Sequence, residues 1–131
     1  PLIGATGYGA SVWNRLADKL IDEKITTKVT LVPIGVGGVE IAAWAKGGYL
    51  YDKLTQTIAQ LKEQGLIPDY ILWHQGETDN IKNTSKEEYI RQFETIREAF
   101  RSQGIESPIG IAIASYHPEC IDSEDGNDSQ I

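Results

Sequence analysis

The sequence has little cysteine, no methionine and no long apolar run. Cys120 is its one cysteine in 131 residues, which excludes an internal disulfide and leaves the redox compartment open. Because Cys120 lies in a polar segment without a cluster of metal-ligating partners, we interpret it as an incidental thiol rather than a nucleophile. No apolar run reaches the roughly 18 residues that a membrane-spanning helix needs, so no membrane partner is expected.

Positive charge is also scarce. Lysine and arginine number 12 against 19 aspartate and glutamate residues, and the formal net charge is −7. Proteins that bind nucleic acids need a clustered basic face, so no nucleic-acid partner is expected. No basic and apolar leader opens the chain. Localisation stays open, secreted or cytoplasmic, because a leader region would lie outside this chain.

The apolar pattern predicts an α/β fold in one domain over residues 1–131. Amphipathic stripes predict helices over residues 11–23 and 51–64, and a third helix that begins at the capping pair Ser85 and Glu88 and ends at Gly104. Short apolar runs predict strands over residues 29–34, 70–74 and 109–114. Strands that alternate with helices at this spacing pair in parallel, because parallel neighbours need a crossover connection.

Binding and chemistry in such sheets gather in the loops that follow the carboxyl ends of the strands. Three loops qualify: residues 35–48, residues 75–84 and the segment from Ser115 onward. The second loop lies in the stretch ILWHQGETDN, where a strand leads directly into an imidazole, an amide and two carboxylates. This stretch is either a catalytic loop or an ordinary polar turn.

Several familiar motifs are absent. In the glycine-rich segment after Ile34, the third glycine of a dinucleotide fingerprint would fall on Glu40, and no phosphate-binding G-x-x-x-x-G-K-[ST] loop occurs. No H-E-x-x-H pair occurs either, so neither a metal nor a cofactor is expected. The serine-hydrolase elbow G-x-S-x-G is missing, and nothing local marks Ser11 or Ser115 as an activated nucleophile.

The remaining chemistry that these loops offer is electrostatic stabilisation of a negative charge. Gly37 and Gly38 let backbone N–H groups approach a ligand closely, and Gln75 offers an amide donor at the end of the next strand. Backbone and side-chain donors that converge on one point form an oxyanion hole. The alternative is that the glycines make a turn, while Glu77 and Asp79 are solvated or cap the following segment.

Two motifs together carry a family resemblance. GVGGVEIAAWAKGG, residues 35–48, and LWHQGETD, residues 72–79, resemble the GG-x-x-I-x-x-W and W-x-Q-G-E-x-D blocks of the sialate O-acetylesterase and carbohydrate esterase family 6 branch of the SGNH hydrolases. The resemblance implies a flavodoxin-like three-layer α/β/α domain with a parallel sheet, which removes acetyl groups from sugars through a serine nucleophile.

The resemblance also implies roles for individual residues. Gly37 or Gly38 would supply a backbone oxyanion donor and Gln75 a side-chain donor, whereas Glu77 and Asp79 would fix the shape of their loop. Trp44 and Trp73 would lie near the acyl pocket and bind substrate, or fill the core. An acetylated carbohydrate is therefore the expected partner.

The chain departs from the family pattern at the catalytic triad. The family's serine lies in a G-x-S block on the first strand, and its histidine and aspartate lie in a D-x-x-H block near the C-terminus. We find neither block at these places: Ser11 falls at a predicted helix start, and no histidine follows His117. We therefore expect a truncated domain that is inactive as a fragment and able to associate through an exposed sheet edge. The alternative is a non-catalytic α/β carbohydrate-binding module.

Overall fold

A computed structural model describes residues 12–114 of the chain. The chain divides into two compact units, Pro1–Gly37 and Gly38–Ile131. Ser11, Ser115, His117 and Cys120 lie outside the described residues.

The first unit contains helix α1, Val12–Asp22. Its apolar stripe gives the helix one hydrophobic face, as the spacing predicts, yet none of its residues is buried. Leu16 and Ile21 stay 37% and 41% exposed. The helix is followed by Lys24, whose φ of 56° lies in the left-handed region and ends the helical path.

The strand predicted over residues 29–34 was wrong. Within residues 12–114 this segment pairs with no strand, and most of its side chains are exposed. A β-branched run forms a strand only when a neighbour accepts and donates along it, and Pro33 removes one donor from the run. Residues 29–34 have the composition of a strand, but without a neighbouring strand their backbone stays irregular.

The second unit contains the remaining elements. Its helices are α2 (Ile41–Trp44), α3 (Tyr51–Glu63), α4 (Glu77–Ile81) and α5 (Lys86–Arg101), and its strands are β1 (Ile71–His74) and β2 (Ile109–Ala112). The strands pair in parallel, with Ile71 opposite Ile109 and His74 opposite Ala112. This confirms the α/β class with a parallel sheet, and the described residues form a partial α/β fold.

The two long helices of this unit follow their sequence signals. Gly65, with φ of 68°, follows α3 and lets the backbone turn away from the helix. At the start of α5 the Ser85 hydroxyl accepts the backbone N–H of Glu88 at 3.2 Å. The helices predicted over 51–64 and from Ser85 are therefore confirmed within one or two residues.

The core of the second unit lies between α2, α3 and α5. Its most deeply buried apolar side chains are Ile41, Leu54, Ile58, Ile96 and Ile105. The sheet is less covered, since Leu72 and Ile111 are 46% and 55% exposed, and Ile113, which follows β2, is 65% exposed. Between residues 12 and 114, no helix combines the length and the apolar character needed to cross a membrane.

Candidate active site

A sharp turn at Gly76 separates β1 from α4. Gly76 has φ of 143°, a backbone conformation that side chains with a Cβ rarely adopt. A Cβ at this position would also lie 3.3 Å from the Cβ of Ala114. The N–H of Asn80 donates to the Gly76 carbonyl at 2.9 Å and so closes the first turn of α4. The glycine therefore lets the chain reverse direction directly after Gln75.

The carboxamide of Gln75 is held on both of its ends. Its Nε2 donates to the Val39 carbonyl at 3.0 Å and to Asp79 Oδ2 at 2.5 Å. Its Oε1 accepts the hydroxyl hydrogen of Tyr89 at 2.9 Å. Because an amide nitrogen carries two hydrogens, both donors of Gln75 are engaged within the second unit.

Asp79 joins the two sequence motifs. Its side chain is 1% exposed, and its Oδ2 accepts the backbone N–H of Ile41 at 2.8 Å in addition to the amide of Gln75. Its own carbonyl accepts the N–H of Thr84 at 2.9 Å. Its Oδ1 is buried and has no hydrogen-bond partner among residues 12–114. One buried carboxylate thus connects the start of α2 to the loop after β1.

Tyr89, on the first turns of α5, lies behind this loop. Its hydroxyl accepts the indole N–H of Trp73 at 3.1 Å and donates to the carbonyl or the side-chain oxygen of Gln75. Burial raises the pKa of the Tyr89 hydroxyl above its usual value, and the nearby carboxylates of Asp79 and Glu77 act in the same direction. The hydroxyl hydrogen is therefore retained at neutral pH.

The two tryptophans of the motifs pack edge to face. Their ring centroids are 6.3 Å apart at an interplanar angle of 82°, and Trp73 also meets Phe93 at 5.7 Å. Trp44 is only 3% exposed, so its ring offers no open face to a sugar in this structure. Trp73 is half-buried. Contact of either ring with substrate stays a prediction.

Charged side chains surround the loop at the surface. His74 Nε2 lies 3.4 Å from Glu77 Oε1, and both side chains are partly exposed. Lys82 Nζ lies 2.7 Å from Glu40 Oε2, and this hydrogen bond lowers the pKa of the Glu40 carboxyl. Exposed pairs of this kind contribute little to stability. Among residues 12–114, no group of three histidine, cysteine or acidic side chains is arranged to hold a metal ion.

The paired glycines lie at the boundary between the two units. Gly37 ends the first unit and Gly38 begins the second. Gly38 has φ of 73°, and a Cβ at either glycine would meet nothing within 4 Å. Gly38 precedes Val39, whose carbonyl accepts the Gln75 amide. The sequence did not single out Tyr89 for this site, because its hydroxyl reaches Gln75 only through tertiary packing.

Comparisons with known proteins agree on one family. The model of the family described as carbohydrate esterase, sialic acid-specific acetylesterase matches residues 5–120. A protein of Arabidopsis thaliana named a probable carbohydrate esterase is 29% identical over 83 residues, which cover 63% of this chain and 31% of that protein. The chain thus spans less than a third of this relative's length in the matched region. No solved structure matches the chain. Because the family model covers most of the sequence, the chain belongs to the carbohydrate esterase family of sialic acid-specific acetylesterases.

Proposed function

We propose that this chain forms the oxyanion-binding part of a serine-type carbohydrate O-acetylesterase. The observation that carries the proposal is the joining of the two family motifs. Gln75 donates to the Val39 carbonyl at 3.0 Å, and Asp79 accepts the N–H of Ile41 at 2.8 Å. These two hydrogen bonds hold a strand-end amide beside a segment that begins with Gly38, and an oxyanion site needs donors brought together in this way.

The proposed reaction is acyl transfer from an acetylated sugar. A serine hydroxyl attacks the acetyl carbonyl carbon, its proton passes to a base, and the carbonyl oxygen becomes an oxyanion. Collapse of this intermediate breaks the bond to the sugar oxygen, which takes up a proton, and water then releases acetate from the serine. By family resemblance the serine and its base come from blocks outside the two motifs. The backbone N–H of Gly37 or Gly38 and the amide of Gln75 stabilise the oxyanion.

Both amide hydrogens of Gln75 already have acceptors, so one of them must change acceptor when an oxyanion forms. The bond to Val39 has a neutral carbonyl as its acceptor, whereas the bond to Asp79 has a carboxylate. Hydrogen bonds to an ionised acceptor are roughly twice as strong as neutral ones. The bond to Val39 is therefore the one that the oxyanion replaces, through a small rotation of the carboxamide that keeps its bond to Asp79.

A non-catalytic carbohydrate-binding module has less support. Such a module stacks sugar rings on open aromatic faces, and Trp44 is 3% exposed. The family match also names an esterase. We therefore retain the enzyme as the proposed function and use catalysis as its test.

The test replaces Gln75 by alanine in the full-length natural protein and measures acetate release from an acetylated sugar. Loss of one oxyanion donor lowers kcat on the order of 10²–10³-fold. Gln56→Ala is the matched control, since Gln56 is an exposed residue of α3 and its replacement removes the same group. A kcat in Gln75→Ala equal to that of the control would refute the oxyanion role.

A second test uses the 131-residue chain alone with p-nitrophenyl acetate. We expect no saturable turnover, because neither triad block of the family is found in its place. Saturable hydrolysis that disappears in Gln75→Ala would show instead that the chain holds a complete catalytic centre.

A further inference from the structure

We propose that Tyr89 is a positioning residue for the catalytic amide of Gln75. This inference rests on the proposed function of Gln75. Tyr89 lies on helix α5, outside both family motifs. Tyr89 touches neither substrate nor reacting atoms in this scheme and acts through the orientation of the amide.

The first step concerns the direction of the Tyr89 hydroxyl. Its oxygen accepts the indole N–H of Trp73 at 3.1 Å, so the hydroxyl hydrogen must point elsewhere. In the part of the chain that the structure describes, this hydroxyl donates to Gln75 Oε1 at 2.9 Å or to the Gln75 carbonyl at 3.2 Å. Trp73 therefore directs the hydroxyl hydrogen toward Gln75.

The second step concerns the carboxamide. With Oε1 held by Tyr89, the opposite end of the planar amide faces Val39 and Asp79. The reverse orientation would place an oxygen against two further oxygen acceptors, which is repulsive. Tyr89 and Asp79 thus form hydrogen bonds to opposite ends of the planar Gln75 amide, and its N–H₂ group points to the segment that follows Gly38.

The third step concerns the order of the Tyr89 side chain before substrate binds. Tyr89 is 5% exposed and lies on a sixteen-residue helix whose side chains Ile96 and Phe100 are also buried. A hydroxyl on such a rigid element is already ordered before substrate binds. A carboxamide that is already oriented needs only to exchange the Val39 carbonyl for the oxyanion, so the loss of Tyr89's hydroxyl should affect kcat more than KM.

The test is Tyr89→Phe in the full-length natural protein, which removes one oxygen and retains the ring. With p-nitrophenyl acetate we expect kcat to fall roughly 3- to 10-fold, the range given by the loss of one hydrogen bond. We expect KM to stay within about twofold, since substrate binding itself does not use this hydroxyl. Tyr70→Phe is the matched control, because Tyr70 is 70% exposed.

A double-mutant cycle separates positioning from a general structural role. If Tyr89 acts through Gln75, then Tyr89→Phe changes the residual kcat less than about twofold once Gln75 is alanine. Equal fold losses in both backgrounds would overturn the inference. Trp73→Phe, which removes the N–H that directs the hydroxyl, should give a smaller loss of kcat that also disappears in the Gln75→Ala background.

A spectroscopic measurement keeps this inference distinct from the proposed function. The side-chain ¹⁵N–¹H₂ signals of Gln75 should show slow hydrogen exchange in the wild type and faster exchange in Tyr89→Phe, with no change in Tyr70→Phe. Unchanged exchange in Tyr89→Phe would overturn the positioning role even if Gln75→Ala abolishes activity. Conversely, faster exchange in Tyr89→Phe together with a normal kcat in Gln75→Ala would show that Tyr89 holds the Gln75 amide but would refute the oxyanion role, and with it any catalytic effect of Tyr89.

Discussion

Replacement of Asp79 by alanine should break the hydrogen bonds that join the two motifs and lower the free energy of unfolding. The carboxylate is 1% exposed, and its Oδ2 accepts from the backbone N–H of Ile41 at 2.8 Å and from the amide of Gln75 at 2.5 Å. Alanine removes both acceptors at once and leaves the two donors facing a small void.

The expected loss follows from these two bonds. A hydrogen bond to a charged group contributes about 1.5–3 kcal/mol, and a buried donor left without a partner costs about 1–3 kcal/mol. Removal of a buried charge relieves part of its desolvation cost, which offsets some of the loss. The free energy of unfolding should therefore fall by about 2–4 kcal/mol, a large fraction of the total stability of a typical domain.

Asparagine at the same position should cost less than alanine. It can keep one acceptor for Ile41 and Gln75, but its amide would then lie where Asp79 Oδ1 is buried without a hydrogen-bond partner among residues 12–114. A neutral acceptor is roughly half as strong as a carboxylate, and the added donor is unpaired. We expect Asp79→Asn to lose about 1–3 kcal/mol.

Urea denaturation followed by tryptophan fluorescence measures these differences, since Trp44 and Trp73 contact each other in the same unit. Asp69→Ala is the control, because Asp69 is an exposed carboxylate in a loop. The reasoning is refuted if Asp79→Ala loses less than about 1 kcal/mol, or no more than Asp69→Ala does.

Two further predictions concern pH and packing. Burial raises the pKa of Tyr89 above 10.0, so its stabilising contribution is fully present below about pH 10 and is lost as the pH rises through the folded-state pKa. Melting temperatures should therefore fall less between neutral and alkaline pH in Tyr89→Phe than in the wild type, and equal losses would contradict this. Gly48→Ala should lower stability by roughly 2 kcal/mol or more, because its Cβ would lie 2.1 Å from the Ala42 carbonyl oxygen. Thermal unfolding checks this against Gly35→Ala, where a Cβ meets nothing within 4 Å, and equal melting temperatures would refute it.

Exposed apolar side chains on and directly after the strands bear on the expected association of the chain. Leu72, Ile111 and Ile113 are all at least 46% exposed, and exposed apolar surface of this kind favours contact with another surface. Self-association of the 131-residue chain therefore stays a prediction, which sedimentation at several concentrations would measure.

Sequence periodicity was sufficient for the long helices and failed for the short helices. Helices α3 and α5 bury a regular stripe over several turns, so their spacing in the sequence is distinctive. Helices α2 and α4 have four and five residues, too few to repeat any period, and they fell within segments predicted as loops. The run over residues 29–34 has strand composition, but a strand exists only where a partner supplies its hydrogen bonds.

By itself, then, the sequence determined the α/β class, the parallel pairing of two strands and the two motifs that place the chain in its family. Only the tertiary structure decided how those motifs meet. Asp79 reaches Ile41 across 38 positions of sequence, and Tyr89 reaches Gln75 across 14. Hydrogen bonds between such distant residues depend on how α2 and α5 pack beside the loop after β1, and no local pattern of residues encodes that packing.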